Sequence, residues 1–457
     1  MDLECDLLVI GGGMAGFVAG TIASNAGIST VVLRKGQSAT AYSSGAIDMI
    51  GYLPEVSEPF SSPEEGLTTI AGLYPLHPYS IVGYSEDVEP SRVVAEIVER
   101  ARGTIAWLKK YLKDTAASLI GSFDYNVHPI TVLGTTKPTC LVQETMFSDS
   151  LQQNEDNVLL FVGLSGYPDF NPSAASKTYL EDRISVGEPP RKVGRCVLEI
   201  KPFGKSFNLS SIEIARHFDH EESIDDFAAQ LKIQVEQLGA SHVALPPVLG
   251  LRNALMNKKK LEEILGVQVF ELLGFPPSIP GLRLQTSLEN IFKREGGKLL
   301  VGHEAVGYNR MEDKVTSVTV KAPRRKIQIN AKAFILASGK YIGGGLHGDE
   351  NGIRETIFDL MTVTRAYHSA SGILPSRYTN RMSISPMGQP VYSCGLTVDP
   401  KFRPVQEDGM EWASNLFAAG SILTGYDYMS EKSGLGVAAT SGYSAAKSAI
   451  NFIKEVA

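Results

Sequence analysis

Cysteine is scarce in this 457-residue sequence, and its four copies, Cys5, Cys140, Cys196 and Cys394, stand far apart. No close pair offers the ligand spacing of a zinc site or an iron–sulfur cluster, and no disulfide framework can be built from them. If electrons pass through clusters, another chain must hold those clusters. A basic tract is also missing. The 43 Lys and Arg are set against 50 Asp and Glu, for a formal net charge of -7, so nothing here draws in a polyanion by counterion release. There is no G-x-S-x-G, no H-E-x-x-H and no P-loop lysine, which weakens hydrolase, zinc protease and phosphoryl-transfer readings and leaves redox chemistry. The N-terminus lacks a basic region leading an apolar stretch to a small-residue cleavage site. With so few cysteines, a cytoplasmic setting is expected.

One long uncharged run is present. Residues 7–33 carry no charge and are long enough to cross a bilayer. The run contains Gly11, Gly12, Gly13, Gly16, Gly20, Asn25 and Gly27, and it divides into a strand ending near Ile10, a glycine turn, a helix over about 14–25 and a strand over 28–33. A covered parallel strand also reads as a continuous apolar run, so a buried βαβ unit is expected in place of a membrane span. Within it Gly11, Gly13 and Gly16 form G-x-G-x-x-G in the strand, turn and helix context that gives the motif meaning. Gly11 permits the tight turn, Gly13 lets backbone N–H groups approach a phosphate, and Gly16 lets the helix pack on the strand. The helix N-terminus adds positive potential. Where this fold usually places an acidic residue against a ribose, the sequence has Arg34 and then Lys35. An arginine there suits a phosphate, pointing to a nucleotide with an extra phosphate or to a mononucleotide; a solvated basic strand end is the alternative.

After GQSATAYSSGAIDM, at 36–49, the region to about Leu73 is rich in Pro, Ser and Gly and reads as irregular loops. Apolar residues at Val93, Val94, Ile97, Val98, Ile105 and Leu108 then repeat with a helical period. From Asn157 to residue 272, strands and helices alternate as a second α/β unit. It reads as an insertion, because a helix over 281–297 and strands over 298–302, 314–322, 326–331 and 331–339 return to the first unit. Two later strand ends carry small residues, at Ala337, Ser338 and Gly339 and at Gly420 and Ser421. The chain closes with a small-residue helix opened by Gly434 and Gly436, whose first N–H groups can face a carbonyl or an anion; small residues also permit tight helix packing.

VIGGGMAG near the N-terminus, ILASG before a glycine-rich loop, and NLFAAGSIL with SGLGVAA near the C-terminus together resemble the two-dinucleotide-binding-domain flavoproteins, which include fumarate reductase flavoprotein subunits. More specifically, RKGQSATAYSSGAIDMIGYLP, SGYPDFNPSAAS, EIARHFDHEE, PPSIPGLRLQTSL, ILASGKYIGGGL and NGIRETI look like the B-subunit family of the anaerobic glycerol-3-phosphate dehydrogenases. The resemblance spans nearly the whole chain and includes the Arg34-Lys35 strand end. It implies an α/β fold in which residues 1–150 and 276–457 build a Rossmann-like flavin-binding domain of the FAD-binding type, with an inserted α/β domain at 151–275. It implies FMN, with FAD as the alternative, and two partners: a catalytic A subunit and an iron–sulfur C subunit that reaches the quinone pool. The implied reaction oxidises sn-glycerol 3-phosphate to dihydroxyacetone phosphate, at the inner face of the cell membrane through those partners.

The same resemblance places Gly11, Gly13, Met14, Ala15 and Gly16 at the cofactor phosphate, with Arg34 and Lys35 beside them. Ser43, Ser44 and Gly45 would lie along the isoalloxazine, where hydroxyls can hydrogen-bond its edge. Ala337, Ser338, Gly339, Gly420, Ser421, Gly434 and Gly436 would complete the cofactor site. No metal ligands and no catalytic base are identified. A phosphorylated polyol would need arginines for bidentate contacts, and Arg216, Arg283 and Arg354 lie in the family-like strings. Two other readings stay open: an assembly subunit that has lost its cofactor, and an independent FAD-dependent reductase.

Overall fold

The computed structural model describes residues 3–456 except 55, 84–88, 149, 152–155, 202, 205–206, 221, 366–374 and 386–387. The uncharged N-terminal run folds as the βαβ pattern requires. Strand Leu3–Ile10 leads through the glycine turn into helix Met14–Asn25, and strand Thr30–Arg34 follows. Leu3–Ile10 is central, paired in parallel with Thr30–Arg34 on one side and Lys326–Leu336 on the other. That position explains its apolar end, since Leu7, Leu8, Val9 and Ile10 are all buried. The seven-stranded sheet runs Glu304–Met311, Lys314–Lys321, Lys326–Leu336, Leu3–Ile10, Thr30–Arg34, Lys298–Val301, with Leu416–Ala418 paired in parallel to the far half of Lys326–Leu336.

Three local features differ from the sequence expectation. The strands expected at 326–331 and 331–339 are one, because no breaker separates them: the first half pairs antiparallel with Lys314–Lys321 and the second half enters the parallel core. Strand Glu304–Met311 was not foreseen, since it is largely exposed and lacks an alternating apolar face. Helix Pro63–Leu73 stands where loops were expected. Its start is specified by Ser62, whose side chain accepts from the Glu65 N–H, by Pro63 at the first helical position, and by two acidic residues in the first turn.

A second, four-stranded sheet is wholly parallel, in the order Val193–Leu198, Leu159–Leu164, His242–Leu245, Gln268–Glu271. It has its own apolar core, which includes Phe161, Phe218, Phe227 and Val243. Helix Ile279–Arg294 joins the two sheets. Toward the first it packs Phe292 on Phe17, with ring centroids 5.8 Å apart. Toward the second it sends Arg283, fully buried, into a two-pronged pair with Glu271 at 2.6 and 2.8 Å. Arg283 Nε also donates to the Gly250 carbonyl at 2.6 Å, and Glu271 accepts the Leu249 N–H at 2.8 Å. Arg283 Nη1 also reaches Thr145 Oγ1 at 3.3 Å, so the pair is hydrogen-bonded on several sides, which is what a buried charge pair needs to be tolerated.

Breaking that pair from one side leaves a buried carboxylate uncompensated. Arg283→Met is expected to lower the unfolding free energy by about 3–5 kcal/mol, whereas Arg283→Met combined with Glu271→Leu recovers most of the loss. Urea denaturation of the two variants decides this. An Arg283→Met protein as stable as the parent would show that the pair does not tie the sheets.

Candidate functional site

Three strand ends of the main sheet meet at one cleft of about 670 Å³. Ile10 to Ala15, Ala337 to Gly339, and Gly420 with Ser421 form its floor, and Gly434, Leu435 and Ala438 of the C-terminal helix close one side. Parallel strands bring this about, because their carboxyl ends all lie at the same edge of the sheet and leave a crevice there. The opposing wall is Leu273, Gly274, Phe275 and Pro276, the segment between the second sheet and helix Ile279–Arg294. Beyond Arg34 and Lys35 the cleft continues to His303, Glu304 and Ala305.

The glycines of the floor divide by what surrounds them. Gly11 has φ +124°, and a Cβ there would lie 2.1 Å from the Ala337 carbonyl oxygen. At Gly16 a Cβ would lie 1.8 Å from the Gly11 oxygen. These two are required by backbone packing, and Gly16 does not line the cleft. Gly13 is different, because its nearest neighbour would be Thr40 Oγ1 at an ordinary 3.4 Å and its φ is -101°. Nothing in the protein itself demands glycine at that point. Gly13 has no side chain with which to cap helix Met14–Asn25; Thr40 Oγ1 takes the Met14 N–H at 2.9 Å, and with no acidic residue in the first turn the following N–H groups are left available to an anion.

Most other residues singled out from the sequence reach the cleft. Met14, Ala15, Arg34, Lys35, Ser43, Ser44, Ala337, Ser338, Gly339, Gly420, Ser421 and Gly434 all line it. Gly45 and Gly436 do not. A Cβ at Gly45 would meet Gln143 and Pro280 at 2.7 Å, and one at Gly436 would lie 2.5 Å from the Asp48 oxygen, so both serve close packing. Arg34 lines the cleft, but its Nη1 is held by Glu289 at 2.6 Å and its side chain lies over Gly12. Lys35 is likewise paired with Glu304 at 2.5 Å. None of the three candidate arginines faces the cleft: Arg216 is exposed on helix Ser211–Phe218, Arg283 is spent on Glu271, and Arg354 pairs with Asp359 at a surface hairpin.

Several cleft residues escaped the sequence reading. Lys340, directly after the Ala-Ser-Gly turn, is buried, with its ammonium donating to the Tyr392 carbonyl and lying 4.9 Å from the centroid of the Tyr426 ring. Burial brings its pKa down from 10.5 to about 7. Tyr426 is fully buried and its hydroxyl has no hydrogen-bond partner among the described residues; Ser338 Oγ is also buried and unpartnered among them. Lys137, paired with Asp48, and Lys432 line the same cavity. The only local signal for Lys340 is a charge set immediately after an apolar strand end.

The segment carrying Tyr426, Tyr428 and Lys432 is fixed by Glu431. That carboxylate is fully buried and takes hydrogen bonds from Arg365, from Ser433 Oγ at 3.0 Å and from the Asp427 N–H at 3.1 Å. His77 completes the set at 3.2 Å. Since His77 Nδ1 accepts the Tyr79 N–H, the proton must sit on Nε2, facing Glu431. Burial pushes the His77 pKa well down, so the ring is neutral and the partner that neutralises Glu431 is Arg365.

Residues 6–437, which hold every strand end of the cleft, match the sequence profile of a family described as FAD binding domain. Relatives extend over the full length. The chain is 30% identical over 459 residues to the B subunit of the anaerobic glycerol-3-phosphate dehydrogenase of Vibrio vulnificus, covering 98% of this chain and 97% of that one. The subunit of the same name from Vibrio cholerae is 28% identical over 97% of this chain and 96% of its own, and that of Pasteurella multocida 27% identical over 97% and 99%. The chain belongs to the FAD-binding family and, within it, to this family of B subunits. A quinol fumarate reductase chain of Escherichia coli aligns at 10% identity over 100% of this chain and 72% of that one, with a TM-score of 0.42.

A flavin nucleotide fits the site on the protein's own terms. The open face at Gly13 leaves room that a Cβ would take, the adjacent helix N-terminus suits a phosphate, and Ser338 Oγ is a buried hydroxyl in want of a partner. Lys340 supplies a test by titration. Below pH 7 the buried ammonium is charged in both folded and unfolded states, so the cost of burial is felt in full; between 7 and 10.5 the folded state releases the proton and the cost fades. In cofactor-free protein, Lys340→Met should therefore raise the melting temperature at pH 6 by at least the roughly 1 °C that about 1 kcal/mol makes in a chain of 457 residues. The gain should shrink toward pH 10, and a gain independent of pH would contradict the assignment.

Proposed function

We propose that this chain is the flavin-carrying B subunit of a respiratory glycerol-3-phosphate dehydrogenase, in which electrons from sn-glycerol 3-phosphate pass toward quinone. The observation that carries the reading is the convergence of three glycine-bearing strand ends and a helix N-terminus on one cleft, in a chain alike from end to end to subunits of that name. Residues 1–150 and 276–457 are taken as the cofactor domain and 151–275 as an insertion.

The cofactor we favour is FAD over the FMN suggested by Arg34. Two features support this: the Arg34 guanidinium is already neutralised by Glu289, and the cleft continues past the strand end to His303, Glu304 and Ala305, where an adenosine has space. When bound, a flavin supplies the capacity to accept two electrons from an alcohol carbon and to release them one at a time. The chain's own part is to hold it. The Gly11 to Gly13 turn and the N-terminus of helix Met14–Asn25 would take phosphate, while Ser43, Ser44, Ser338 and Ser421 offer hydroxyls around the ring. Ser43 Oγ is committed to the Thr40 carbonyl at 2.7 Å, which makes it a fixed acceptor. Clusters for onward transfer would come from an iron–sulfur C subunit, and an A subunit would share the substrate chemistry. No described helix is long and apolar enough to cross a membrane, so attachment to the inner membrane face is assigned to those partners.

Purified chain should be yellow, and heat release followed by chromatography should yield FAD. Recovery of FMN would restore the mononucleotide reading, and a colourless protein after expression with flavin supplied would favour an assembly role. With an artificial electron dye, turnover of fumarate and not of glycerol 3-phosphate would instead identify an independent reductase. Gly13→Ala isolates the phosphate cradle, since the methyl meets no protein atom closer than 3.4 Å. It should cost at most about 1 kcal/mol of stability as a poorer helix cap. Flavin affinity should fall by about tenfold or more, the value of one charge-assisted hydrogen bond.

A further inference from the structure

The cations lining the cleft are treated in two ways. Arg34, Lys35 and Lys137 each have a carboxylate oxygen within 2.6 Å. Lys340 and Lys432 have none within the 4.0 Å of an ion pair among the described residues; Lys432 is partly exposed and donates to the Met429 carbonyl at 2.7 Å, whereas Lys340 is buried far more deeply than Lys35 or Lys137. Asp427 lies near enough to be felt, but its carboxylate accepts the Met429 N–H at 2.8 Å and the Ser430 N–H at 3.4 Å. Arg365, the other charge nearby, is bound to Glu431, and the Cys394 thiol donates to Thr362. The ammonium has three donors and one acceptor, the Tyr392 carbonyl. Against it stands the Tyr426 ring, whose buried hydroxyl is unpartnered.

A buried amine that no carboxylate among the described residues pairs with, set over the ring of a tyrosine whose buried hydroxyl is unused, is costly in its charged form unless a ligand completes it. What completes it must carry negative charge and accept several hydrogen bonds, which is the chemistry of a phosphate monoester. We propose that Lys340 and Tyr426 bind the phosphate group of the alcohol substrate, so that this B subunit itself contacts a small phosphorylated polyol. The inference rests on the glycerol-3-phosphate dehydrogenase reading above. It goes beyond that reading in placing substrate on this chain and not on the A subunit alone.

The test is calorimetric titration of the purified chain, as it carries its cofactor, with sn-glycerol 3-phosphate and separately with glycerol, with flavin content read from the visible spectrum. The parent protein should bind the phosphate ester and not glycerol. Lys340→Met should weaken binding by about tenfold or more, as loss of a charge-assisted hydrogen bond does, and Tyr426→Phe by about two- to tenfold, both with flavin content unchanged. The proposal is overturned if the parent does not bind the ester, if glycerol binds as well, or if Lys340→Met binds as tightly as the parent. It is also overturned if Lys340→Met loses flavin, for then the lysine serves the cofactor's own phosphate. Failure of the flavin reading would show separately, as a colourless parent, and the calorimetry would still report whether Lys340 holds the ester.

Discussion

The buried pair of Arg283 with Glu271 is the constraint on which the cleft depends. Its two residues bracket the segment that forms the far wall, with Leu273 to Pro276 lying between the end of the second sheet and the start of helix Ile279–Arg294. Isolated charges could not be buried at that depth, so the pair forms only when sheet and helix are both in place. The same helix also reaches the glycine turn. Gln285 donates to the Gly12 carbonyl at 2.8 Å and meets Ser38 Oγ, and Glu289 holds Arg34. One helix face therefore sets the wall, the turn and the second strand end relative to one another.

On the other side, the floor is set by how closely backbones approach. Helix Met14–Asn25 is buried on nearly every side, with the sheet beneath it, Phe292 against Gly20, and the C-terminal helix above. At Gly442 a Cβ would lie 2.5 Å from the Ala15 oxygen, so the two helices meet through a bare backbone. This closeness brings Gly420 and Ser421 beside Ala15 and draws the start of the C-terminal helix to the cleft. A side chain at any of these contacts would shift a strand end or a helix N-terminus by more than a phosphate contact tolerates.

Much of this frame is legible in the sequence because it is written in short-range terms. The glycine spacing at 11, 13 and 16, the apolar strand before it, and the small-residue turns at 337–339 and 420–421 each follow from local geometry, and they do converge on one cleft. Partnerships across the chain are not legible in that way. Arg34 lies 255 residues from Glu289, and Arg283 was open to a ligand-binding reading until its buried carboxylate was seen. Gly436 and Gly45 read as cofactor glycines through the family resemblance, and only the neighbouring atoms show that they serve packing. Helix Pro63–Leu73 was legible in principle, from Ser62, Pro63 and the two glutamates, but its polar composition masked the capping signal.

The distribution of charge in the cleft has a further consequence. Cations toward the His303 end are already neutralised by Glu289 and Glu304, so a nucleotide bound there would rely on backbone N–H groups and the helix N-terminus for its phosphates, with little net charge from side chains. Toward Lys340 and Tyr426 the balance reverses, since a cation without an ion-pair partner among the described residues and a hydroxyl without a hydrogen bond stand together among aromatic rings. In so apolar a setting an anion is attracted more strongly than in water, and an uncharged alcohol gains nothing. A cleft arranged like this offers two kinds of hold on phosphate: backbone N–H groups along the glycine turn, and the charge of a buried side chain that no carboxylate among the described residues neutralises.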